Sequence, residues 1–120
     1  VFVLEERDRA LARGAPILAE VAGFGMSADA GDIVAPDPEG AAAAIRAALA
    51  DAGLAPGAVG YINAHGTGTL LNDRSESAAI RAVFGEDAAA IPLSSTKGLR
   101  GHLIGAAGAV ELLAVSLALG

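Results

Sequence analysis

An α/β fold, with strands and helices in alternation, is predicted for this chain by three observations. Short apolar runs that read as strands alternate with longer stretches of helical period. Acidic caps, prolines and glycines stand at the joints between them. Small residues dominate: glycine occurs 16 times and aromatics make up only 3% of the chain, so helices can approach one another and a sheet closely, as a layered core requires.

Taken in order, Val1-Phe2-Val3-Leu4 reads as a strand, and Glu5 to Arg13 is charged and helical in composition, with Gly14 as its stop. Pro16 to Phe24, with Ile17, Leu18, Val21 and Phe24, reads as a second strand. Gly25 to Pro36 is a loop of a kind that could cover a site. Asp37-Pro38-Glu39 opens a helix with an N-cap acid and proline at the first helical position. Its apolar positions Ala41, Ala44, Ile45, Ala48, Leu49 and Ala52 keep helical spacing up to Gly53. Val59 to Ala64 is a short strand, followed by the glycine-rich loop His65-Gly66-Thr67-Gly68-Thr69. Asp73-Arg74-Ser75-Glu76 has capping-box spacing and predicts a helix with Ile80, Val83 and Phe84 inward and Gly85 at its end. Ile91 to Ser95 is the next strand, Thr96 to Arg100 a polar loop, and His102 begins the last, alanine-rich helix.

Length and composition bound the function. At 120 residues the chain is about one ordinary domain. Apolar elements at both ends are what a segment of a larger protein would show. A formal charge of −6 argues against nucleic acid or an anionic membrane surface as a partner. With no cysteine, neither a disulfide framework nor thiol chemistry can arise within these residues. Leu103 to Leu119 is almost wholly apolar, but Glu111 lies in its middle and it falls short of a membrane span of ~20 residues. No signal peptide is visible near Val1.

Two loops, His65 to Asp73 and Thr96 to His102, follow the C-terminal ends of strands and lead into helices, where open α/β sheets collect their ligands. Each carries one of the two histidines, and the second also carries Lys97. His65, His102, Lys97 and Glu76 could therefore converge. Other readings stand beside this one: Thr67 and Thr69 serve equally as turn residues, Glu76 as part of a capping box, and Lys97 as a solvated charge. Asn63 and Glu111 lie in apolar runs and need partners, which a backbone hydrogen bond would supply as well as an ion. A dinucleotide fingerprint fails because Leu71 stands where its third glycine would be. No P-loop, nucleophile-elbow serine or closely spaced metal-ligand set is present.

The strings themselves are more specific. Tyr61-Ile62-Asn63-Ala64-His65-Gly66-Thr67-Gly68-Thr69, with Leu71-Asn72-Asp73 and Glu76, closely resembles the first histidine motif of elongating β-ketoacyl-acyl-carrier-protein synthases of the thiolase superfamily. Ser94-Ser95-Thr96-Lys97-Gly98-Leu99-Arg100-Gly101-His102-Leu103-Ile104-Gly105-Ala106-Ala107-Gly108-Ala109-Val110-Glu111 resembles that family's lysine and second-histidine motif. The segment Ala35 to Gly40 is similar to the one that precedes a helix in the family. Arg100 departs from a threonine common before the Gly-His pair, and Leu70 from a frequent proline.

The resemblance implies a thiolase-like layered α/β fold. Residues 1–120 would be a fragment holding the last strand of the N-terminal half and most of the C-terminal half, with the cysteine-bearing part and the final strands lying outside it. It implies a decarboxylative Claisen condensation of an acyl-enzyme with malonyl-acyl-carrier protein, in fatty-acid biosynthesis. A polyketide or nodulation-type ketosynthase, or a catalytically silent partner subunit, is the alternative. Carried over residue by residue, His65 and His102 are the hydrogen-bond donors at the reacting thioester, with His102 expected at a helix N-terminus, a position that suits a neutral donor. Lys97 orders the site, paired with Glu76; Thr67 and Thr69 contact the phosphopantetheine arm; Asn63 and Glu111 match positions around a monovalent cation in some members. No other cofactor is implied, since the substrates ride on acyl-carrier protein, and the full-length protein is expected to be a cytoplasmic homodimer. The segment alone is expected to be inactive and to expose apolar surface.

Overall fold

The computed structural model describes residues 1–119. Helix α1 (Arg7–Ala12) is capped by Glu6, whose carboxylate accepts from the N–H groups of Asp8 and Arg9. Helix α2 (Pro38–Ala52) starts on Asp37, whose side chain accepts from Glu39 N–H at 3.0 Å, and ends on Gly53 in the left-handed conformation, as the sequence predicts. A 3₁₀ turn (Pro56–Ala58) leads to strand β1 (Ile62–Asn63). Helix α3 (Leu70–Phe84) and a second 3₁₀ turn (Gly85–Ala89) lead to strand β2 (Leu93–Ser94). A single turn of helix, α4 (Lys97–Arg100), a 3₁₀ turn (Ile104–Ala106) and helix α5 (Ala107–Ala118) complete the chain.

Strands β1 and β2 pair in parallel with Ile62 opposite Leu93 and Asn63 opposite Ser94, and α3 lies between them in sequence as the crossover. Ile62 N–H donates to Pro92 O at 2.9 Å and Ala64 N–H to Ser94 O at 2.8 Å, so both strands end together at residues 64 and 95. That shared end sets the two histidine loops side by side. Helix α5 touches β1, and α2 packs along α3. The inward side of α3 is Ser75, Ala79, Ile80 and Phe84, with Val83 half-buried. Burying Ile80 and Phe84 stabilises this helix pair by roughly 1.5–3 kcal/mol each.

Several expectations are corrected. The apolar runs Val1–Leu4 and Pro16–Phe24 join no ladder among the described residues, because an apolar pattern forms a strand only where a partner edge is available. Val3 and Leu18 stand more than four-fifths exposed. The stretch before residue 25 instead lies against α2: a Cβ on Gly25 would collide with the backbone of Ala44 and Ala48, and Phe24 N–H donates to Asp51 Oδ2 at 2.9 Å. On α2, Ala42 is buried and Ala41 exposed, one position from the predicted stripe. Helix α3 begins on Thr69, a turn before the predicted Asp73, because Gly68, at φ +75°, turns the chain just ahead of Leu70-Leu71-Asn72. In the predicted loop Thr96–Arg100, Lys97–Arg100 forms the single turn α4, and the last helix starts at Ala107, not His102.

The loop from Gly25 to Pro36 folds on itself and on α2. Ser27 Oγ donates to Gly40 O at 2.7 Å. Asp29 accepts from the N–H groups of Gly31 and Asp37, and Asp32 from those of Val34 and Ala35; these bonds hold both carboxyls below the usual aspartate value. None of its hydrogen bonds among the described residues reaches a histidine loop.

Candidate active site

Each histidine follows a strand. His65 comes directly after Ala64, and its ring centroid lies 5.3 Å from that of His102, with the planes at 83°. Both rings are solvent-exposed. The expected convergence of the two histidine loops is therefore present in the fold.

The His65 loop is held from α3. Glu76 reaches back with both carboxylate oxygens, accepting from His65 N–H at 2.6 Å and Gly66 N–H at 2.8 Å. Asn72 Nδ2 donates to the same carboxylate at 3.4 Å. A carboxylate bidentate to two successive backbone N–H groups makes charge-assisted bonds, stronger than neutral ones. Glu76 thus serves the loop; it neither completes a capping box with Asp73 nor pairs with Lys97. Gly66 has φ +45°, and a Cβ there would lie 2.5 Å from Ser95 Cβ, so only glycine fits between the two loops.

Ser95 joins the loops. Its hydroxyl donates to Gly66 O at 3.1 Å and accepts from Lys97 N–H at 3.3 Å. Sequence reasoning missed it; its place at a strand end directly before the Thr-Lys pair was the only available signal. The side chains of Thr67 and Thr69 hydrogen-bond to each other at 2.9 Å. Tyr61 OH lies 2.8 Å from Ser94 Oγ and accepts from Asn63 Nδ2 at 3.1 Å, while Asn63 Oδ1 is buried with no partner among the described residues.

The His102 turn is held differently. Lys97 is buried, its side chain 6% exposed, and its ammonium bonds to the carboxylate of Glu111, which is 22% exposed. That pair ties α4 to α5 across the turn carrying His102. Within the turn, Gly101 has φ +72° and Ile104 φ +48°. A β-branched residue in the left-handed region is strained by roughly 1–3 kcal/mol. Ile104 N–H donates to His102 Nδ1 at 3.1 Å. With Nδ1 accepting, the neutral ring carries its proton on Nε2, so His102 is an Nε2–H donor. The expected helix N-terminus does not supply this; α5 starts five residues later, and the donor form rests on the Ile104 amide.

Residues 18–120 match the family described as β-ketoacyl synthase, C-terminal domain. The chain belongs to the β-ketoacyl synthase family. It is 55% identical over 117 residues to nodulation protein E of Rhizobium leguminosarum bv. trifolii, covering 98% of this chain and 29% of the relative. It is 48% identical over 121 residues to 3-oxoacyl-[acyl-carrier-protein] synthase 2 of Synechocystis sp., covering 99% and 29% respectively. Its fold superposes with TM-score 0.90 and 43% identity on a chain of the AntDE:AntF complex, a type II PKS acyl-carrier protein with its ketosynthase bound to the hexaketide; the match covers 94% of this chain and 28% of that one. The layered α/β architecture is thus that of thiolase-fold ketosynthases, of which this chain is a part. It spans less than a third of the length of these relatives. Among the described residues no helix is long and apolar enough to cross a membrane, and no group of three or more His, Cys, Asp or Glu side chains could hold a metal ion.

Proposed function

We propose that this chain supplies the paired-histidine part of a condensing site that performs decarboxylative Claisen condensation. The observation that carries the reading is the 5.3 Å approach of His65 and His102, with Nδ1 of the latter accepting from Ile104 N–H so that Nε2 is left to donate. When malonyl-acyl-carrier protein loses CO₂, the electron pair of the breaking C–C bond moves into the thioester, and negative charge appears on its oxygen. Two positioned N–H donors at that oxygen stabilise the transition state, each worth roughly 3–4 kcal/mol or 10²–10³ in rate. The enolate then attacks an acyl thioester on a cysteine, which this chain does not contain, expelling the thiolate and giving 3-oxoacyl-carrier protein.

The remaining residues position. Glu76 sets the His65 loop, and Lys97 with Glu111 clamps the His102 turn, so none of the three needs to touch substrate. The hydroxyls of Thr67 and Thr69, already oriented by their mutual bond, suit hydrogen bonding to a phosphopantetheine arm, which makes acyl-carrier protein the partner. Asn63 Oδ1, buried and without a partner among the described residues, is a hard oxygen donor of the kind a monovalent cation takes, and Glu111 on α5, the helix that touches β1, is the carboxylate proposed beside it. The rest of the reading is a cytoplasmic, homodimeric full-length enzyme requiring no other cofactor, with these 120 residues inactive alone.

Fatty-acid elongation is the first reading, since synthase 2 of Synechocystis matches nearly the whole chain. The higher identity to nodulation protein E is a specific reason to carry a nodulation or polyketide-type ketosynthase as the second. The full-length protein, given acyl- and malonyl-carrier protein, should release CO₂ and form a 3-oxoacyl chain two carbons longer by mass spectrometry. Repeated extension without reduction would favour the second reading; CO₂ without elongation would favour a partner subunit. His65→Ala and His102→Ala should each slow CO₂ release by about 10²–10³-fold, and unchanged release in both would overturn the histidine roles.

A further inference from the structure

The backbone of His65 and Gly66 is held by two side chains. Glu76 accepts from both of its N–H groups. Its two carbonyls meet a single hydroxyl: Ser95 Oγ donates to Gly66 O at 3.1 Å and lies 3.5 Å from His65 O. The same oxygen accepts from Lys97 N–H at 3.3 Å. One half-buried hydroxyl therefore gives its proton to the His65 loop and a lone pair to the first residue of α4.

The contact is close as well as polar. The Cβ that Gly66 lacks would stand 2.5 Å from Ser95 Cβ and 2.8 Å from its Oγ, so the two loops meet with only the serine side chain between them. From Ser95 the connection runs on through Lys97, whose ammonium bonds to Glu111 on α5. The strand ladder does not reach this far, since its last bond is Ala64 N–H to Ser94 O. Beyond it, among the described residues, the Ser95 hydroxyl makes the only hydrogen bonds that cross from the His65 loop to the segment carrying His102. A serine two residues ahead of a helical N–H is also a common local cap. That role concerns α4 alone, and the bonds to residues 29 and 30 positions away have no part in it.

We infer that Ser95 is a positioning residue whose hydroxyl fastens the His65 loop to the His102 turn and so sets the spacing of the two rings. Its effect on turnover rests on the donor roles proposed for the histidines, whereas its effect on ring placement does not. In the full-length protein with ¹⁵N-labelled histidine, the ring signals of His65 and His102 are assigned by their loss in the two alanine variants. Ser95→Ala deletes the hydroxyl and keeps Cβ. Both ring signals should then move. The kcat of CO₂ release from malonyl-carrier protein should fall at least about tenfold while KM changes less than about twofold, because the hydroxyl meets backbone and not substrate. Ser94→Ala, one residue earlier, deletes a hydroxyl that bonds to Tyr61 and should leave both ring signals in place. Movement of one ring signal only, or of neither, in Ser95→Ala would overturn the inference, as would equal movement in Ser94→Ala. Movement of both with undiminished CO₂ release would leave the spacing role standing and overturn instead the donor roles given to the two histidines.

Discussion

His65 sits on a loop whose backbone is gripped from outside by the Glu76 carboxylate, whereas His102 sits on a turn that is bent on itself and clamped at its ends by a buried ion pair. The first support is a set of hydrogen bonds made by one flexible side chain from the following helix. The second stores strain at Ile104 and relies on two charged groups largely removed from water. Two rings 5.3 Å apart thus rest mainly on different supports, bridged by the Ser95 hydroxyl, and damage to one support should displace its own histidine more than the other.

The largest effect is expected at the ion pair. Lys97→Met leaves Glu111 partly buried without its counter-charge, and urea unfolding of the full-length protein should show a loss of about 3–5 kcal/mol. Adding Glu111→Leu should restore most of that loss, since an apolar pair of similar volume replaces the charges. Failure of the double variant to recover would mean that the charges do more than clamp the turn. The His102 ring signals should move more than those of His65 in Lys97→Met; equal movement of His65 would break the comparison between the two supports.

Glu76→Ala frees two backbone donors at once, and a loss of about 2 kcal/mol is expected, with the ¹⁵N shifts of His65 affected most. Glu76→Gln keeps one acceptor oxygen and should fall between. Gly66→Ala tests the contact where the two loops meet. Its Cβ collides with Ser95 in a left-handed backbone, so about 1–3 kcal/mol should be lost and both rings displaced. As a reference outside both loops, Asp37→Ala removes the α2 cap and should cost about 1 kcal/mol without moving either ring.

The smallest effect concerns pH. Asp29 and Asp32 have carboxyls held below their ordinary 3.8 by backbone N–H groups, so what they contribute is present above that value and lost as pH falls through the lowered one. Protection of the amides in residues 25–37, taken relative to the intrinsic exchange rate at each pH, should fall below about pH 4 while the histidine loops keep theirs. Loosening of all three segments together would show the loop to be coupled to the site after all.

Much of this was legible beforehand. The Asp37 cap, the Gly53 stop, the order of helices and strands around the site, and the facing of the two histidine loops follow from local chemistry: capping, helical spacing and the rule that parallel strands end together. Partner choice was not. Glu76 read as a capping-box acid and as a mate for Lys97, and it is neither. Glu111 read as a cation neighbour, and its pairing with the lysine fourteen residues before it was not foreseen. Which carboxylate meets which cation depends on how helices sit in space, and spacing along the chain does not encode that.

By itself, then, the sequence determined the alternating α/β pattern, the residue types at the strand ends and, through its two long motifs, the family. The tertiary structure alone decided that Val1–Leu4 and Pro16–Phe24 make no ladder among the described residues, that His102 stands in a turn and not at a helix end, and that the Ile104 N–H meets its Nδ1. The physical reason is the same in each case. Ladders, ion pairs and left-handed backbone at a β-branched residue are held by groups distant in sequence, and isoleucine carries no local preference that would announce φ +48°.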